Sequence, residues 1–216
     1  MASSHQKHIW VYMDRRTDRL LDLGLNVLQK AKDLARGLSL PLSAVIINTT
    51  DTANDPASPG CSGMVPVADA AAECVNHGAG HVFVLDVPGL AVPRADICAL
   101  ALAEAVKERA PSLVLFALSD LGREVAARTA VLCNAGLIAD CADLRVDEGN
   151  LVAQCPSWGG KVTADIAFCD NAHTGFATVQ PHIAQAERGP GSPGRIEHIP
   201  STAVDLSRGP QLLSSE

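Results

Sequence analysis

Aromatic residues are scarce in this chain: Phe, Tyr and Trp together make up 3% of its 216 residues. Any core must therefore be aliphatic, and hydrophobic residues, chiefly Ala, Val and Leu, reach 47%. Long apolar runs are missing as well. None approaches the ~18 residues that cross a bilayer, so membrane insertion is not expected. The opening MASSHQKHIW lacks the apolar stretch of a secretory signal, which makes the cytoplasm the default location. Positive charge is in deficit, with 17 Lys and Arg against 24 Asp and Glu for a net charge of −7. That balance gives no electrostatic reason to expect nucleic acid or an anionic membrane as partner. There is no Gly-rich dinucleotide fingerprint and no P-loop. No Ser-His-Asp or Cys-His nucleophile set can be assembled either, so covalent catalysis is not expected.

Cysteine is the exception to this thinness, at seven residues, an odd number. Without a secretory signal a disulfide framework is not expected. Cys74, His77 and His81 have a C-x2-H-x3-H spacing that suggests metal. The competing reading ends an Ala-rich helix at Cys74, turns at His77-Gly78 and opens a strand at His81. No second ligand pair stands nearby to complete a tetrahedral site, so no metal is assigned. Cys133, Cys141, Cys155 and Cys169 show no paired spacing and read as small buried hydrophobes. Cys61 lies in the loop DTANDPASPGCSG, where it reads as an idle or redox-active exposed thiol.

What is present is a run of alternating short apolar segments and amphipathic helices, enough material for one large domain or two small ones. Residues 9–13 form a strand. Asp18 is a plausible cap for a helix over 19–36, with Gly37 closing it. Residues 43–47 (SAVII) suit a buried strand. A helix over 67–77, a strand over 81–85 and a helix over 95–109 follow. Asp86 and Pro88 lie just past a strand end, the edge where α/β sheets place ligands. Residues 113–118 make another buried strand, Asp120 is placed to cap the next helix, and Gly136 lies beyond that helix's end. After Asp143 the pattern changes to strands over 144–146, 151–154, 162–168 and 176–179, with a hairpin turn at 147–150. The expected fold is α/β: a parallel sheet with helices on both faces, then an antiparallel sheet. From 188 onward, RGPGSPGRIEHIPSTAVDLSRGPQLLSSE is rich in Gly, Pro and Ser and reads as a flexible linker or tail. The division is thus 1–187 and 188–216.

The turn Ser119-Asp120-Leu121-Gly122-Arg123 is the candidate cofactor site. Amides at a helix start, a glycine and an arginine can cradle a phosphate, and Ser119, Gly122 and Arg123 are the residues named for that role. Against it, Asp120 can occupy the same amides and repels an anion. Arg123 and Arg128 either face a partner or a cofactor, or pair with carboxylates. Trp158 is expected to pack.

Residues 122–166, GREVAARTAVLCNAGLIADCADLRVDEGNLVAQCPSWGGKVTADI, carry a resemblance. Gly122, Arg123, Ala126 and Arg128 match a pattern G-R-D-L-A-P-R-L-A. Gly136, Leu137, Ala139, Asp140 and Cys141 match G-L-T-A-D-C, Gly159 and Gly160 match R-P-A-F-G-G-N, and Ala177, Thr178, Val179 and Pro181 match A-T-V-R-P. With His8-Ile9-Trp10-Val11-Tyr12 at the start, residues 8–182 resemble the N-terminal domain of the electron transfer flavoprotein α subunit. The resemblance implies a nucleotide-hydrolase-like fold and pairing with a β-type subunit, and the turn 155–161 is expected near that contact. It also implies electron relay through FAD, with a flavin domain or dehydrogenase as further partner. It places most of the flavin site in a second α-subunit domain beyond the linker, so flavin is expected to be held mainly outside this chain. The chain departs from the pattern at Cys155 and Gln180, where it has arginines, and at Lys161, where it has Asn. Losing bidentate donors there leaves a second reading open: a nucleotide-binding or structural module that kept the fold and lost electron transfer.

Overall fold

A computed structural model describes residues 7–49, 63–90, 93–168, 173–189, 193–201, 204 and 206. Cys61, most of its loop and Cys169 lie outside these residues.

The first strand, β1 (Ile9–Met13), is buried along its whole length. Its side chains alternate between two apolar layers, as a strand covered on both faces requires. Ile9, Val11 and Met13 face α1 (Asp18–Leu38) and α2 (Val67–Asn76), while Trp10 and Tyr12 face α3 (Ala95–Arg109) and α4 (Asp120–Leu132). Around β1 lie β2 (Leu42–Asn48), β3 (His81–Asp86), β4 (Leu113–Ala117), β5 (Leu137–Cys141), β9 (Gly175–Val179) and β10 (Arg195–Pro200). They form a seven-stranded sheet in the order β10-β3-β2-β1-β4-β9-β5. Every pairing in it is parallel. A second sheet, β6 (Asp143–Asp147), β7 (Asn150–Ser157) and β8 (Val162–Ala167), is antiparallel. The expected α/β class with a parallel sheet, helices on both faces and an antiparallel addition is the observed one.

Several local expectations shift. Thr17, not Asp18, caps α1, its Oγ1 accepting the Leu20 N–H at 3.2 Å. Gly37 does not close that helix; Ser39 does, at φ 54. Gly37 lies inside the last turn, where a Cβ would come 3.2 Å from Val146 Cγ2. Its value is the close approach it allows β6. Ser119 rather than Asp120 caps α4, and the left-handed residue after that helix is Asn134 at φ 50 rather than Gly136. Short hydroxyls outcompete the neighbouring carboxylates here because they sit one residue earlier, at the extended position the cap demands.

Two larger differences concern strand order. The strand expected over 176–179 as part of the antiparallel section is β9, a fully buried member of the parallel sheet between β4 and β5. Residues 195–200, expected in a flexible tail, form β10, in parallel register with β3 from Arg195↔His81 to Pro200↔Asp86. Arg109 holds Glu197 at 2.6 Å and Ser201 N–H reaches Asp86 O at 2.9 Å. Upstream, Arg188 pairs with Glu73 at 2.8 Å. Composition misses β10 because an edge strand with an exposed face keeps polar residues and tolerates Pro at its end.

Candidate functional site at the carboxyl edge of the sheet

Chain order reverses between β1 and β4: the path runs outward through β2 and β3, then returns across the sheet to β4. The crevice outside the carboxyl ends of two such strands is where open α/β sheets take ligands. Here it is lined by Asp14, Arg15 and Arg16, which follow β1, and by Ser119 and Asp120, which follow β4.

Arg16 bridges the crevice. Its Nη2 lies 2.8 Å from Asp14 Oδ2 and 2.7 Å from Asp120 Oδ1, and its Nε donates to Asp14 Oδ1 at 3.0 Å. Hydrogen bonding by Asp14 first, and also by Asp120, holds the guanidinium firmly charged. In return Arg16 keeps the Asp120 carboxyl below its ordinary range, with the Leu121 amide helping. Arg15 is buried and turned the other way. Its guanidinium donates to Val65 O at 2.8 Å and Ile47 O at 3.2 Å, which ties the start of α2 to the end of β2.

Of the three residues named from the sequence, Ser119 accepts the Gly122 N–H at 3.0 Å and donates to Asp14 Oδ2 at 3.4 Å. Gly122 is required by proximity, since a Cβ there would meet Ala117 O at 2.5 Å. Arg123 points away from the crevice to Asp140, at 3.4 Å, and is 61% exposed. The turn therefore brings Ser119 and Gly122 together but sends Arg123 elsewhere. Arg128, the other helix arginine, pairs with Glu124 at 2.7 Å. The slot between Tyr12, Arg15, Arg16, Met64, Pro93 and Leu121 has about 10 Å³ of room, the space of one water.

The sequence reading missed Asp14, Arg15 and Arg16. An Asp-Arg-Arg run directly after the first short apolar strand was the available signal, because charged residues at a strand's carboxyl end face the ligand edge. Asp86, at the end of β3, accepts from Asn48 Nδ2 at 2.7 Å and meets His198 Nδ1 at 3.0 Å, so it serves β10. The Cys-His-His set does not converge. Cys74 is buried in α2 with its thiol pushed up to about 12 by burial. His77 meets Glu73 O at 2.8 Å, and the His81 ring stacks on Phe83. Among the described residues no three side chains suited to a metal ion gather, and no helix is long and apolar enough to cross a membrane.

Trp158, expected to pack, is 84% exposed and holds φ 53, a backbone region a bulky residue occupies at a cost. Gly159 and Gly160 follow at φ 66 and 80.

A family model described as the electron transfer flavoprotein domain matches residues 9–204, from β1 past the end of β10. The chain is 29% identical over 178 residues to the electron transfer flavoprotein subunit alpha of Thermoanaerobacterium thermosaccharolyticum, covering 82% of this chain and 49% of that one. Against the same subunit of Clostridium acetobutylicum it is 29% identical over 187 residues, covering 85% and 50%. Against the protein FixB of Azorhizobium caulinodans it is 29% identical over 178 residues, covering 82% and 44%. The chain spans about half the length of these curated relatives, and it belongs to the electron transfer flavoprotein family, on its α-subunit side.

Proposed function

We propose that this chain is an α-type electron transfer flavoprotein domain, working in the cytosol, that pairs with a β-type subunit and supports electron relay through FAD held mainly outside these residues. The match of the family's domain from residue 9 to residue 204 is the observation that carries the reading. The described crevice does not fit a flavin pyrophosphate. The Gly122 amide is taken by Ser119, and two carboxylates face the opening. When bound, the flavin would supply the redox chemistry, and no step of it is assigned to this crevice. Ser119 and Gly122 set the angle between β4 and α4, and Arg123 steadies Asp140.

The exposed edge strand of the small sheet and the turn before it support where the partner sits. Trp158, Val162 and Ile166 are exposed there, beside the strained turn that presents the indole. Strain of that kind is retained where a surface is used, and Trp is favoured at the centre of interfaces. A stable pair would bury at least ~1,200 Å² in total. A dehydrogenase or flavin domain would then meet the assembled pair.

The second reading, a structural module without electron transfer, draws on the crevice being internally satisfied. Co-expression with a β-type subunit, followed by size-exclusion chromatography with light scattering and a visible spectrum, separates the two. A heterodimer with flavin absorption, from a chain that is colourless alone, is the expected result. A monomer beside every β-type candidate, or stoichiometric FAD on the isolated chain, defeats the proposal.

A further inference from the structure

Two thiols meet where the large and small sheets join. Cys141 ends β5, the edge strand of the large sheet, and Cys155 lies on β7, the middle strand of the small one. Their Sγ atoms are 3.8 Å apart, with Cys141 fully enclosed and Cys155 6% exposed. Both are free thiols. The backbone is clamped beside them, since the Ala142 N–H donates to Gln154 O at 2.8 Å. A disulfide needs its sulfurs about 2.05 Å apart, so side-chain rotation has under ~2 Å to close and the strands need not part. The pair exists because Cys155 stands where the pattern the chain resembles has Arg.

We propose that Cys141 and Cys155 form a reversible disulfide, with a low-molecular-weight disulfide as oxidant, that staples the small sheet to the edge of the large one. Cys155, the more accessible of the two, gives its proton to solvent, and its thiolate attacks one sulfur of the oxidant RSSR. One RS⁻ leaves and takes up a proton. Cys141 then loses its proton, and its sulfur attacks the Cys155 sulfur, forming the protein S–S bond and expelling the second RS⁻. Two protein thiols are oxidised and one RSSR is reduced to two RSH, so electrons balance. Burial, and the neighbouring Cys155, push the Cys141 thiol up, which leaves the first attack on the oxidant to the more accessible Cys155.

The staple acts on both sheets. Asp140, immediately before Cys141, sits at φ 60 in a break of the β5–β9 register, donates its N–H to Thr178 Oγ1 at 2.8 Å and faces Arg123. On the other side, Cys155 leads through Pro156 and Ser157 into the turn that carries Trp158. Oxidation fixes the spacing between these two points and needs no partner subunit, so it stands apart from the docking reading.

The test uses the full chain, incubated at pH 8 with oxidised glutathione, alkylated, and mapped by mass spectrometry. Two of the seven thiols are expected to disappear into a peptide linking Cys141 to Cys155. Tm should rise by about 5–10 °C, since the bridge closes a short loop, and reductant should reverse both changes. Cys155→Ser and Cys155→Val should each abolish the linked peptide and the Tm rise, while Cys74→Ser keeps both. Wild-type mapping carries the test even if a variant folds poorly. Seven titratable thiols throughout, a bridge between other cysteines, or a glutathione adduct on Cys155 that never resolves onto Cys141 overturns the proposal.

Discussion

In the large sheet, β1, β2, β4 and β9 bury every one of their residues, whereas in the small sheet β8 buries none of its six. The difference follows from how the strands are connected. Parallel strands joined by crossovers carry helices onto both faces, so each strand between two others becomes a continuous apolar run. The small sheet is a meander of two hairpins and brings no helix of its own. Leu144, Leu151, Ala153 and Cys155 face the body of the domain and join its core, while the opposite side is left to solvent. One sheet is a core; the other is a core on one side and a surface on the other. That contrast predicts stability effects in the first and association effects in the second.

The largest effect should come from the large sheet. Phe116→Ala, at a fully buried position, is expected to lose about 3–5 kcal/mol in urea unfolding. Ile166→Ala on β8 should stay within about 0.5 kcal/mol. Equal losses at the two positions would end the contrast.

Next in size is binding. Trp158→Ala should weaken association with a β-type subunit by about 30-fold or more, as truncation of a central interface Trp does, while Tm moves by less than ~1 °C. An unchanged Kd in titration calorimetry would move the docking surface away from this turn.

Glycines sharpen the comparison further. Gly122→Ala drives a Cβ to 2.5 Å from the Ala117 carbonyl oxygen, and should cost about 1–3 kcal/mol. Gly160→Ala has open space around it and only its φ of 80 to contend with, which should cost about 1 kcal/mol. If Gly160→Ala is the worse of the two, the turn beside Trp158 is held more tightly than its exposure suggests.

The smallest effects concern acid, at the two ends of the large sheet. At the amino end, burial first, then His81 and Arg109, keep the His8 imidazole below its ordinary value near 6.5. The unfolded chain therefore takes up a proton that the folded one refuses. This contribution to stability is intact above ~6.5 and declines as pH falls below it. At the carboxyl end Arg16 depresses Asp120, so the unfolded chain again binds the proton first. That contribution is intact above the ordinary Asp value of ~3.9 and is lost as pH falls through the lower folded value. Asp120 is well exposed, which limits its effect to a few tenths of a kcal/mol, roughly the worth of a surface pair. Tm measured against pH should lose its upper step in His8→Gln and only part of its lower step in Asp120→Asn. A His8→Gln chain that keeps the upper step would assign it elsewhere.

Much of the fold was legible because local pattern and burial agree in the large sheet. The apolar runs at 9–13, 43–47, 81–85 and 113–118 each became a strand, and 95–109 became a helix with the expected limits. The hairpin at 147–150 was equally readable, with Glu148 and Gly149 both at positive φ, as a two-residue turn between antiparallel strands demands. The site was read less well. Ser119 and Gly122 were named from their turn, but their crevice neighbours Asp14 and Arg16 lie over a hundred residues away in sequence, and only the β1–β4 pairing unites them.

What the sequence alone determined is most of the elements, their class and their family, because periodicity and motifs are properties of short stretches. The tertiary structure decided where strands with similar propensities go. It put Phe176–Val179 between β4 and β5, recruited an exposed, proline-ended segment as β10, turned Arg123 to Asp140, left Trp158 in solvent and brought two unpaired cysteines to 3.8 Å. Each of these depends on which distant surface remains to be covered once the first strands have paired, and no short window of sequence carries that information.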